Sequence, residues 1–256
     1  MKMKTLKIIF PALIMAVVVI ISSKSNSDLS AAEIHSTNKS AAALTLNGSS
    51  TYFSRPYSKE LISGKAVTLE AWVKASNNDD QSGIIERSSE GSYTYRLYIK
   101  DYELTFAVNT GKDYVLKTKL DKPAEWNHVA ASYNSYTGKM KIYVNGILAS
   151  STEKAPAEIL DFGSDTLYVG KSGRQYGKDT FFSGEISDVR IWTNTERTAS
   201  EIKDNMHEKF ESREGLVIVR FDDLTKEGLS AKPSLSAFLP GYYSESPIPW
   251  NSLLKN

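Results

Sequence analysis

Two carboxylates, Glu185 and Asp188, sit three residues apart in the segment 181–192, FFSGEISDVRIW. Glycosidic cleavage needs two carboxyl groups flanking the scissile bond, one to protonate and one to attack or to activate water. Here the residues after Asp188 are Val189 and Arg190, so the pair reads as scaffold. His128 stands beside Trp126, with His35 and His207 far off in sequence. No metal triad or Ser–His–Asp set emerges, and His128 reads as a structural histidine. The run Asn77 to Asp80 offers oxygens, but its spacing is not that of a calcium-binding helix–loop–helix, and it reads as a solvated turn. Cysteine is absent, which removes disulfides, thiolate metal sites and a cysteine nucleophile.

Binding by shape remains. Tyr93, Tyr95 and Tyr98 join flat apolar rings to hydrogen-bonding ends, suited to sugar or protein surfaces. Alternation places Tyr93 and Tyr95 on one strand face and Tyr98 on the other. Arg174, Gln175, Tyr176, Lys178 and Asp179 combine a ring, an amide and charges in the Gly-rich loop from Gly170 to Lys178, where binding residues often gather. These loop residues, with Tyr93 and Tyr95, form the expected ligand site. Glu70 and Arg190 are expected to meet as a structural ion pair shielded by Trp72 and Trp192, because a buried charge requires a partner.

The elements that must carry these residues are strands. Val67, Leu69, Ala71 and Val73 share one face, as do Val129, Ala131 and Tyr133 of the run 127–134. Tyr93 to Lys100 and Tyr102 to Val108 form neighbouring runs joined at Asp101. Lys139 to Ala149 alternates and turns at Asn145-Gly146, a pair suited to a tight hairpin. Leu167 to Val169 is a short strand. Glu185 to Trp192 is a longer one, with Ile186, Asp188, Arg190 and Trp192 on one face. Thr198 to Glu201 is a capping box that opens a short helix ending near Met206 or His207, and Gly215 to Phe221 forms a last strand. Many strands, one helix and no alternating helical segments imply an antiparallel β-sandwich or jelly roll.

Six blocks in order carry a family resemblance. They are ALTLNG (43–48), VTLEAWV (67–73), EWNHVA (125–130), KIYVNG (141–146), LYVG (167–170) and the closing strand with its helix. The chain from about 41 to 221 resembles laminin-G-like and pentraxin-like domains of the concanavalin A-like lectin/glucanase superfamily. The resemblance implies an all-β, concanavalin A-like jelly roll with one short helix near its C-terminal end. Pentraxin-like members bind calcium through acidic and amide residues after the glycine of the LYVG strand. Here those positions read Lys171, Ser172, Gly173 and Arg174, so pentraxin-type ligands are absent and no cofactor or metal is assigned. Asn47, Ser187 and Asp188 stand where other relatives supply oxygens. Laminarinase-like hydrolases of the same fold carry Glu, Asp and Glu along one strand, of which Glu185 and Asp188 match two.

The formal net charge of +1 gives no bulk attraction to nucleic acid. Lys2, Lys4 and Lys7 precede an apolar run from Ile8 to Ile21, followed by small residues with cleavage options after Ser27 or Ala32: the layout of a secretory signal peptide. Residues 1–32 are thus expected to be a signal peptide, 33–40 a flexible leader, 41–225 the jelly roll, and 226–256 a proline-containing tail lying loosely on the surface or disordered. An uncleaved signal would be the sole membrane attachment. The resulting expectation is a secreted or cell-envelope, non-catalytic module that binds glycan or an extracellular protein. A hydrolase of the same fold and a structural envelope component are the alternatives.

Overall fold

A computed structural model describes residues 43–76, 78–89, 91–175, 178–219, 221 and 242–243. The segments expected to be a signal peptide and a leader lie outside the described residues, as does most of the expected tail. Two antiparallel sheets face each other, as the fold expectation required. Sheet I runs β1 (Leu44–Asn47), β14 (Ser183–Thr193), β3 (Ala66–Ala75), β8 (Asn127–Asn134), β9 (Lys139–Val144) and β10 (Ile147–Glu153). A further strand, β15 (Leu216–Val219), also pairs with β14. Sheet II runs β16 (Tyr242–Tyr243), β2 (Phe53–Arg55), β11 (Thr166–Val169), β4 (Ser82–Ser89), β5 (Ser92–Lys100), β6 (Glu103–Asn109) and β7 (Asp113–Lys119). One helix, α1 (Ala199–Asn205), follows β14.

Period-two alternation explains the core. Leu69, Ala71 and Val73 of β3, Val129 and Ala131 of β8, and Ile142 of β9 face Leu97 and Ile99 of β5 and Phe106 of β6 in one cluster. All are fully buried, and burying such a side chain contributes about 1.5–3 kcal/mol. Two hairpins turn on consecutive positive φ angles: Asp101 and Tyr102 at 49° and 61°, Asn145 and Gly146 at 51° and 74°. This matches the right-handed twist of the flanking strands. Tyr102, read from sequence as the start of a strand, is therefore a turn residue.

Two bulges break the alternation and correct two expectations. On β5, Tyr95 pairs with Arg87 while Tyr93 pairs with Ser88, leaving Thr94 as the extra residue. Tyr95 enters the core, whereas Tyr93 and Tyr98 both lie over the Arg96 guanidinium, at 3.9 and 5.4 Å. Tyr93 thus groups with Tyr98 and not with Tyr95. On β14 the register shifts between Ser187 and Arg190, and Asp188 takes a φ of 47°. The shift places Ile186 in the core and turns Arg190 to the opposite face, toward Glu70.

That face of sheet I is closed by charge. The Glu70 carboxylate is fully buried and lies 2.6 Å from Arg197 Nη1, 3.4 Å from His128 Nε2 and 3.6 Å from Arg190 Nη1. Arg190 donates onward to the carbonyls of Asn205 and Glu208 at 2.9 and 2.7 Å. Arg197 donates to the Glu201 carbonyl at 2.6 Å, and Trp72 Nε1 to the Met206 carbonyl at 3.0 Å. Trp192 is stacked under Arg197 at 4.4 Å. Thr198 and Glu201 form the reciprocal capping box that starts α1, and Ile202 packs on Ala130 and Tyr143. The helix is held by one buried carboxylate acting through two arginines.

Burial pushes the Glu70 carboxyl up, but the His128 contact and the Arg197 charge outweigh it and leave it below the ordinary glutamate value. A depressed acid contributes stability above its unfolded value that is lost as pH falls through the folded one. Glu70→Gln is expected to cost about 3–5 kcal/mol at neutral pH, because two buried guanidinium groups lose their counter-charge. Urea unfolding measures this, and the gap between wild type and variant should narrow as pH falls below the ordinary carboxylate range.

Candidate functional site

Sheet II offers a different outer face. Leu97 and Ile99 of β5 point into the core, so Arg96 and Tyr98 point out. The register continues the Tyr98 row through Thr105 of β6 to Lys117 of β7. At the hairpin end Lys100 lies opposite Glu103.

The wall beside this row comes from the segment expected to be a Gly-rich loop. It is instead a two-stranded ribbon, β12 (Lys171–Gln175) and β13 (Lys178–Phe181), laid against β4. The contact is close because both surfaces use glycine. A Cβ on Gly83 would come within 2.3 Å of the Lys171 carbonyl oxygen, and one on Gly173 within 2.8 Å of Ser88 Oγ. The Gly173 N–H donates to Glu86 Oε1 at 2.7 Å, and burial pushes the Glu86 carboxyl up. The ribbon is pinned at its far strand by Lys178 to Asp80 at 2.9 Å and by Thr180 Oγ1 to the Gln81 carbonyl. Nearby, Asn78 clamps the Ser183 main chain, accepting at 3.0 Å and donating at 3.2 Å. The expected solvated turn is therefore partly an anchor.

Between ribbon and sheet lies a groove of about 290 Å³. Tyr98, Thr105, Lys100, Glu103 and Lys117 line the sheet side; Asp80, Gln81, Lys178 and Thr180 line the other. Two ion pairs flank it, Lys117–Glu103 at 2.6 Å and Lys178–Asp80 at 2.9 Å. Such a groove presents an aromatic ring with fixed donors and acceptors around it, the arrangement that orients a polar ligand.

Of the residues expected at a ligand site, Lys178 lines this groove. Asp179 faces inward to Lys171, 2.9 Å away. Tyr95 is fully buried and Tyr93 nearly so, because the core and Arg96 occupy their rings; neither offers a surface platform. Arg174 and Gln175 belong to β12, and Tyr176 lies outside the described residues. Sequence reasoning took Asp80 only as part of a solvated turn and left out Gln81, Lys100, Glu103, Thr105, Lys117 and Thr180. The alternation of β5 and β6 carried the signal for Tyr98 and Thr105, whereas β7, rich in lysine, did not read as a strand.

Calcium does not fit the pentraxin-equivalent position. Lys171 stands there in the sequence, its ammonium within 4.6 Å of the Tyr52 ring centroid, 4.9 Å of Tyr168 and 5.9 Å of Phe181, and paired to Asp179. Asn47 Oδ1 is committed to the N–H groups of Ser49, Ser50 and Thr51, and Asp188 to Arg190. Glu185 pairs with Lys74 at 3.3 Å on sheet I. Among the described residues no three His, Cys, Asp or Glu side chains converge as metal ligands.

A family model described as the concanavalin A-like lectin/glucanases superfamily matches residues 47–203. Pentraxin-related protein PTX3 of Homo sapiens is 25% identical over 129 residues, 47% of this chain and 34% of the relative. The sushi, von Willebrand factor type A, EGF and pentraxin domain-containing protein 1 of Rattus norvegicus is 24% identical over 131 residues, half of this chain but 4% of the relative. The chain thus spans a third or less of these relatives. Among solved structures, a Bacteroides ovatus protein assigned a carbohydrate-binding role superposes with a TM-score of 0.60 at 26% identity, over 79% of this chain and 58% of that one. The heptameric pentraxin of Limulus polyphemus superposes with a TM-score of 0.50 at 16% identity, over 70% and 94% of the two chains, and shows the fold.

The ribbon's seat generates a test. Gly83→Val drives a branched side chain into the Lys171 carbonyl and is expected to cost about 1–3 kcal/mol. Thermal melting measures the loss, and amide exchange should show the ribbon losing protection first.

Proposed function

The chain belongs to the concanavalin A-like lectin/glucanase superfamily, and from that premise we propose that it is an exported, non-catalytic module that binds a glycan in the groove of sheet II. The observation that carries this reading is the Tyr98 ring set between two flanking ion pairs. A pyranose has an apolar ring face and equatorial hydroxyls that both donate and accept. An aromatic face with charged donors and acceptors at its rim satisfies both. The role assigned to the Bacteroides ovatus neighbour supports the reading. So does the position of the groove's carboxylates, each committed to a lysine, while Glu185 and Asp188 sit on the other sheet with cations of their own. Export rests on the signal-like N-terminus and on extracellular-type relatives such as the pentraxins.

A glycan array probed with the protein, with and without calcium, tests the proposal. Binding of at least one glycan class is expected, unchanged by chelation. Tyr98→Ala should weaken it about fivefold or more, the equivalent of the roughly 1 kcal/mol that a ring contact contributes. Silence on the array, or binding indifferent to Tyr98, would overturn the proposal.

A further inference from the structure

The groove's charge is lopsided. Its two carboxylates are each neutralised by a lysine: Glu103 Oε1 accepts from Lys117 at 2.6 Å, and Asp80 Oδ2 from Lys178 at 2.9 Å. What remains over is a positive charge. Lys100 lines the groove and has no carboxylate partner among the described residues. Beside Tyr98, the Arg96 guanidinium lies 5.4 Å from the ring centroid, and Glu86 is its neighbour across the strand pair. The lining therefore carries three ammonium groups against two carboxylates, with one ammonium unpaired.

A neutral sugar offers that ammonium a hydroxyl oxygen but no counter-charge. A sugar bearing one carboxylate matches it, and a charge-assisted contact is about twice as strong as a neutral one. We propose that the preferred ligand is a glycan carrying a carboxylate, seated with its ring on Tyr98 and its acid group on Lys100. This inference rests on the glycan-binding reading and adds the ligand's charge to it. Lys100 is the specificity-determining residue, and the contact needs no metal ion. A hexuronic acid and a nonulosonic acid supply the same chemistry, and the probes separate them.

The test is calorimetric titration of the full chain with lactose, 3′-sialyllactose and a digalacturonate. At least one acidic probe is expected to bind about tenfold or more tightly than lactose, and raised salt should erode that preference. Lys100→Ala should bring the acidic probe to the affinity of lactose, and Lys100→Arg should retain the preference. Tyr98→Ala should weaken acidic and neutral probes together. The residue is exposed at the end of β5, so its replacement leaves the fold intact, as the melting temperature verifies. If lactose binds as tightly as the acidic probes, or the preference survives Lys100→Ala, the inference fails while glycan binding stands. If no glycan on the array or in the titration binds, both fail. Which acidic probe wins decides between uronate and nonulosonate.

Discussion

One buried carboxylate organises the molecule. Glu70 is removed from water on the outer face of sheet I, and the cost of burying that charge is met by Arg197, Arg190 and His128. Each arginine then uses its remaining donors on main-chain oxygens of α1 and the turn after it. The same charge that would destabilise the sheet alone becomes the reason for the helix to dock where it does. Buried ion pairs owe their value to such complete satisfaction of donors and acceptors. With Trp72 and Trp192 packed alongside, this part of the face is covered by α1 and the turn after it.

Sheet II shows the complementary strategy. Its ribbon lies main chain to main chain over Gly83, and Gly173 sits tight on the Ser88 and Glu86 side chains, approaches that a side chain at either position would block. The absence of two side chains is what builds the wall of the groove. Tyr98 gains an ordered neighbour surface, and Lys117 of β7 and Lys178 of the ribbon are held apart on opposite sides by Glu103 and Asp80. The groove is thus a by-product of how tightly the ribbon is seated.

Strong periodicity was legible before the structure. The core faces of β3, β8 and β9, the Asn145-Gly146 turn and the Thr198–Glu201 cap all follow from local pattern and local hydrogen bonding. Two single-residue bulges defeated the same logic. Thr94 and Asp188 each shift the phase of a strand, so Tyr93 and Ile186 land on faces that alternation assigns to others. Long-range partners were equally silent: Arg197 lies 127 residues from Glu70, and nothing in its neighbourhood announces the contact. The groove was missed for a related reason. β4 hides Glu86 and Arg87 within a buried strand, and β7 carries lysines on its exposed side, so neither showed the apolar alternation by which strands are read.

Lys171 gives the ribbon an unusual independence. Where a pentraxin-like domain recruits a soluble cation, this chain carries its positive charge on a tether, clasped by Tyr52, Tyr168 and Phe181 and answered by Asp179. A recruited ion stabilises in proportion to its supply, through a mass-action term in its free concentration. A tethered ammonium has no such term: its local concentration is set by the covalent chain and survives dilution and chelators alike. The ribbon's charge is thus a fixed part of the architecture, written into the sequence.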